Sequence, residues 1–188
     1  MTRKTAKDFH PRLLEMFDGY VHGDLSKRGF LKGAGQFAVG GVTAAALLEA
    51  LSPDYALAQD VAADDPEIET ARIAYASPDG HGEISGLLAH PAREGVFGAV
   101  LVVHENRGLN PYIEDVARRV AKAGFLALAP DGLSPLGGYP GNDDEGRTMQ
   151  RQLDGAKLLE DFFAGFEFVR DHARSNGKAG AVGFCYGG

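Results

Sequence analysis

The residue types best suited to covalent chemistry lie in Gly183-Phe184-Cys185-Tyr186-Gly187-Gly188. Cys185 is the only cysteine, which excludes an internal disulfide and a multi-thiolate metal site and leaves an inert buried thiol or a reactive one. The G-x-C-x-G-G spacing after the apolar run Ala179 to Gly183 suits a nucleophile held out on a strained strand-to-helix turn, where a Cβ at either flanking glycine would collide. Such a turn would aim the backbone N–H of Tyr186 at an oxyanion formed on an attacked carbonyl. The same spacing also fits a tight turn around an inert thiol.

A thiol at neutral pH is only slightly ionised, so a nucleophilic Cys185 needs a base or a positive group beside it. Glu105, in Val102-Val103-His104-Glu105-Asn106-Arg107-Gly108-Leu109-Asn110, stands just past an apolar run; by itself it reads more readily as a solvated loop carboxylate. His104 alternates with Glu105 and so points to the other side of the segment. In sites of this type the base also follows the nucleophile in the chain. His90 and His172 read as structural or exposed, and His81 as a solvated turn residue.

Several elements must hold these groups. Ala71 to Ala76 and Glu83 to His90 flank a Pro/Gly turn and predict an antiparallel hairpin. Phe97 to Val103 is a continuous apolar run, the pattern of a strand covered on both faces. Pro111 to Ala123 predicts a helix with an apolar face at Ile113, Val116, Ala117 and Val120, ended by Gly124. Phe125 to Ala129 is a second buried strand. The Gly/Pro-rich stretch Leu133 to Gly146 predicts a long loop, and Thr148 to Ala173 a helix that Gly155 or Gly165 could break. The order β-β-β-α-β-α-β predicts an α/β fold with a mostly parallel sheet, flanking helices and an N-terminal antiparallel hairpin.

The net charge is −7, with the acidic excess beyond residue 58, which argues against nucleic-acid binding. Residues 1–58 read as an export segment: a basic stretch, the weakly apolar Gly33 to Leu48, then Ala56-Leu57-Ala58 before a cleavage point at Gln59. Ser26-Lys27-Arg28-Gly29-Phe30-Leu31-Lys32 resembles a twin-arginine (Tat) signal, with Lys27 at the first arginine position. That resemblance implies export by the Tat machinery to the periplasm or outside, with membrane contact only during export. The uncharged run is short of the ~20 residues needed for an anchor. Residues 59–70, Ala/Asp-rich and aperiodic, read as an exposed linker, leaving the domain proper at 71–188.

From Ile73 to Gly188 the chain resembles the dienelactone hydrolase (carboxymethylenebutenolidase) family, esterases of the α/β-hydrolase fold with cysteine in place of serine. The resemblance is sharpest in Ser175 to Gly188 and in Val102 to Asn110. It implies that Glu105 hydrogen-bonds and helps deprotonate Cys185, and that the N–H groups of Asn106 and Tyr186 form the oxyanion hole. It also implies an arginine for a substrate carboxylate, Arg147 or Arg151 being the candidates. The expected substrate is a small carboxylic ester or lactone, attacked to give a thioester acyl-enzyme, with neither metal nor organic cofactor implied. The Asp and His of a complete triad should follow the nucleophile, so the chain is expected to be the N-terminal portion of such a domain and inactive alone. The competing readings are a non-catalytic exported binding protein on a degenerate hydrolase fold and, below it, a nucleotide-binding sheet, which would require a G-x-G-x-x-G or P-loop that the sequence does not contain.

Overall fold

A computed structural model describes residues 5–52 and 59–188, which fall into two compact units divided at Asp54/Tyr55. The expected cleavage residues Ala56-Leu57-Ala58 lie outside the described residues.

In the first unit, α1 (Pro11–His22), α2 (Lys27–Ala34) and α3 (Ala44–Leu51) bury Leu13, Tyr20, Phe30, Ala34, Leu47 and Leu48 against one another. Ser26 caps α2 by accepting the Gly29 N–H at 3.1 Å, and Thr43 caps α3 through the Ala46 N–H at 3.1 Å. Gly40 and Gly41 take positive φ and separate α3 from what precedes it, so the apolar stretch Gly33 to Leu48 is not one helix. No helix among the described residues is long and apolar enough to cross a membrane.

The second unit is an α/β sheet with helices on both faces. Its strands are β1 (Ile68–Ser77), β2 (Gly82–Pro91), β3 (Phe97–Val103), β4 (Leu126–Pro130) and β5 (Ser175–Gly183), in spatial order β1-β2-β4-β3-β5. β1 and β2 form the antiparallel hairpin, β2 runs antiparallel to β4, and β3 is parallel to both β4 and β5. α4 (Pro111–Lys122) covers one face, packing Ile113, Val116, Ala117 and Ala121 on Val102, Ala127 and Ala129. α6 (Gly155–Arg170) covers the other, with Leu158, Phe162 and Val169 on Leu101, Leu126 and Leu128. Alternate residues of β4 thus feed different cores, which is why the strand reads as uninterrupted apolar sequence. The capping of α4 follows from its sequence: the Asn110 side chain accepts from the Ile113 N–H, Pro111 opens the first turn, and Gly124 leaves the helix at φ 100°.

The structure corrects three boundaries. Residues 59–70 are not a free linker: the Asp115 carboxylate accepts from the Asp60 and Val61 N–H groups, Arg118 Nε donates to the Val61 carbonyl, Val61 is buried, and β1 starts at Ile68. The Gly/Pro-rich loop ends early, because Asn142 caps a helix α5 (Asp143–Gln150) whose first turn holds Asp143, Asp144 and Glu145. The long helix is divided before Gly155, where Asp154 caps α6, whereas Gly165 lies inside α6 and lets Tyr75 Oη come within 2.7 Å of where its Cβ would be.

Candidate active site

Strand pairing brings the two candidate reactive groups to one level. Val103 of β3 is register partner to Gly183 of β5, and two residues beyond each stand Glu105 and Cys185, at the carboxyl ends of adjacent parallel strands. β5 runs straight into a 3-10 turn over Cys185–Gly187, closed by the Gly187 N–H donating to the Phe184 carbonyl at 3.0 Å. Cys185 is exposed and is the only non-glycine residue among those described with positive φ, at 53°. A Cβ on Gly183 would stand 1.7 Å from the Gly187 carbonyl oxygen, and one on Gly187 would stand 2.6 Å from Val103 Cγ1. The turn is therefore pressed down on the end of β3, and only glycine fits on either side of the thiol. The Phe184 ring packs edge-on against Tyr112 of α4, centroids 6.3 Å apart, which fixes the other side of the turn.

The Glu105–Asn110 loop is shaped from beneath. Asp131, just past β4, accepts from the Leu109 N–H at 3.3 Å, the Leu133 N–H at 3.0 Å and the Tyr139 N–H at 2.8 Å, tying this loop to the Gly/Pro-rich one. His104 is fully buried; its Nε2 accepts from the Gly132 N–H at 3.0 Å and its Nδ1–H donates to the Glu105 carbonyl. Both ring nitrogens are used, and burial pushes the imidazole's pKa down, so His104 is a neutral bracket between the ends of β3 and β4. Asn106 places its Oδ1 in a buried position with no hydrogen-bond partner among the described residues.

The Glu105 carboxylate is about one-quarter exposed and faces Arg107, whose Nε lies 3.5 Å from Glu105 Oε2. Arg107 is itself buried and directs Nη1 to Asp143 Oδ2 at 2.8 Å; Tyr139 donates its hydroxyl to Asp143 Oδ1 at 2.9 Å. Burial, reinforced by Asp143, raises the Tyr139 phenol's pKa, keeping it a donor. α5 comes close because Gly146 has no side chain: a Cβ there would be 2.4 Å from the Arg107 carbonyl oxygen. Arg147 is buried with its guanidinium on Asp144, and Arg151 is exposed at the end of α5. Neither is brought to Glu105 or Cys185 by any contact described. Sequence reasoning missed Arg107, Asp143 and Tyr139. The signal for Arg107 was present, since residues two apart in a non-helical segment share a side. Asp143 and Tyr139 gave none, being placed by a loop whose path the sequence does not encode visibly.

His81 also departs from expectation. Its backbone N–H donates to Asp161 Oδ1 at 2.8 Å and its Nδ1 meets Asp161 Oδ2 at 2.5 Å, pinning the hairpin turn to a fully buried carboxylate of α6. Beside the Cys185 turn lies an apolar groove of about 560 Å³, lined by Leu159, Phe162, Phe163, Phe166, Ala181 and Tyr186. Among the described residues no cluster of His, Cys, Asp and Glu could hold a metal ion.

Comparison with known proteins agrees with this architecture. A model described as the dienelactone hydrolase family matches residues 84–188, and one described as YqhI-like matches residues 1–40. The chain is 65% identical over 114 residues to a hydrolase fragment, YghX, of Escherichia coli (strain K12), spanning 60% of this chain and 97% of that one. It is 32% identical over 123 residues to a protein of Synechocystis sp. named as a carboxymethylenebutenolidase, covering 59% of this chain and 48% of the relative. It is 38% identical over 103 residues to a protein of Bradyrhizobium sp. named as a 2-oxo-3-(5-oxofuran-2-ylidene)propanoate lactonase, covering 54% and 42%. The chain thus spans about half the length of the latter two relatives. Among solved structures, one named as a dienelactone hydrolase of Klebsiella pneumoniae superimposes with a TM-score of 0.52 at 24% identity, over 64% of this chain and 51% of that one, a likeness of fold. With the family model covering more than half its length, and a strand-turn geometry to match, the chain belongs to the dienelactone hydrolase family of α/β-hydrolases.

Proposed function

We propose that the chain carries the nucleophile of a hydrolase for small carboxylic esters or lactones, with Cys185 as the attacking group and Glu105 as the carboxylate that takes its proton. The sulfur bonds to the acyl carbon, the carbonyl electrons move to an oxyanion held by the N–H groups of Asn106 and Tyr186, and the C–O bond to the alcohol breaks. The alkoxide leaves with a proton, and water then hydrolyses the thioester, restoring the thiol and releasing the acid. This activity is proposed for a domain of the relatives' full length.

The observation that carries the reading is the exposed Cys185 at φ 53° between two glycines that admit no Cβ. Positive φ in a non-glycine residue costs ~1–2 kcal/mol, and an inert surface thiol gives no reason to retain that cost. The test is acylation by p-nitrophenyl acetate. In a domain of the relatives' full length, one equivalent of nitrophenolate per Cys185 should appear in a burst, and Cys185→Ala should abolish it; an undiminished burst in that variant would overturn the assignment.

For residues 1–58 we propose a Tat-type export segment, supported by the Ser26 to Lys32 pattern; residues 59–188 are the hydrolase portion. Residues 1–58 fused to a folded reporter should carry it to the periplasm. Retention in the cytoplasm, or export unchanged by Lys27→Gln with Arg28→Gln, would contradict the proposal.

A further inference from the structure

We infer that Arg107 is the positioning residue for Glu105, and that Asp143 of α5 sets how firmly it does so; this rests on the reading of Glu105 as the partner of Cys185. The buried Arg107 side chain forks between two carboxylates from different segments. Its short contact, Nη1 to Asp143 Oδ2 at 2.8 Å, is strong, and Asp143 is steadied by the Tyr139 hydroxyl. Its contact with Glu105, 3.5 Å from Nε, is longer and electrostatic in character. Glu105 is thereby oriented but not locked, which is what a group that must receive a proton and release it requires.

The charge count gives the arrangement a measurable consequence. Glu105, Arg107 and Asp143, with the Asp144–Arg147 pair of α5, together leave one net negative charge, with Tyr139, Tyr186 and His104 neutral. Removing Arg107 takes away one positive charge and leaves the carboxylates in greater excess, which opposes formation of a thiolate at Cys185. Removing the Asp143 charge leaves the Arg107 guanidinium less neutralised beside Glu105. The two changes act in opposite directions, which loss of structure would not produce.

Cys185, the only thiol, permits a direct experiment: its rate of alkylation by iodoacetamide against pH, in the full chain. Glu105→Gln should lower the midpoint of that profile. Arg107→Met should raise it; each rise of one pH unit slows alkylation below the midpoint ~10-fold. Arg107→Lys should stay within a few tenths of a unit of the parent, and Asp143→Asn should lower the midpoint. If Glu105→Gln moves nothing, the reading of Glu105 beside Cys185 fails, whatever Arg107 does. If Glu105→Gln moves the midpoint while Arg107→Met does not, or while Lys and Met behave alike, the inference about Arg107 is overturned. Should Arg107→Met fail to fold, Asp143→Asn decides: an unchanged midpoint there overturns it equally.

Discussion

Cys185 is held in a backbone conformation that only its surroundings can maintain. The Gly187 backbone lies on Val103, the Phe184 ring is wedged on Tyr112, and the Gly187 N–H closes the turn, so the left-handed φ at Cys185 is imposed from both sides. Replacing Cys185 by glycine should therefore stabilise the fold by about 1 kcal/mol, the strain relieved exceeding the entropy glycine adds, while removing the thiol. Chemical denaturation measures this, and a variant less stable than the parent would show that the turn stores no strain. At this scale the sequence was informative wherever spacing carries geometry: the two glycines around Cys185 and the alternation that turns His104 away from Glu105 could both be read directly. It was silent where a partner comes from a distant segment. Asp143 and Asp161 are ordinary acidic residues in sequence, and only the fold brings them to Arg107 and His81.

Among the elements, the ends of β3 and β4 and the face of α6 are joined through one side chain. His104, at the end of β3, accepts the Gly132 N–H beyond β4 and lays its ring edge-on to Phe162 of α6, centroids 5.4 Å apart. Because burial holds its pKa below that of a free histidine, the folded chain keeps it neutral where the unfolded chain takes up a proton. Its contribution to stability is complete above about pH 6.5 and is lost as pH falls, at up to ~1.4 kcal/mol per pH unit for one proton. His104→Gln, which keeps a donor and an acceptor without titrating, should flatten that part of the stability–pH curve; an unchanged slope would mean that folding does not shift His104's protonation. The strands and α4 could be read because period, cap and stop residues agreed. α5 could not: six of its eight residues are polar, with only Gly146 and Met149 between them, and the cap at Asn142 sits inside a glycine-rich stretch that reads as loop. The packing of residues 60–61 was hidden likewise, because Asp60 and Val61 are anchored by Asp115 and Arg118 of a helix more than fifty residues later.

Over the whole molecule, family and fold were legible because two separated blocks, Val102 to Asn110 and Ser175 to Gly188, meet at the carboxyl ends of adjacent parallel strands, where α/β sheets place their chemistry. The N-terminal unit was read only as an export signal, yet its apolar residues also close a small helical core around Phe30. Composition could not distinguish these, since a weakly apolar helix serves either purpose. The central claim is that the fold makes Cys185 a nucleophile rather than an exposed thiol. The most direct measurement is the rate of acetylation of Cys185 by p-nitrophenyl acetate at neutral pH, followed by intact mass and peptide mapping, in a domain of the relatives' full length carrying this sequence, folded and unfolded in urea. The account predicts that the folded domain acetylates at Cys185 at least ~100-fold faster, the lower end of what a positioned base or one oxyanion donor supplies. A folded rate equal to or below the unfolded one, or label spread over lysines, would contradict it.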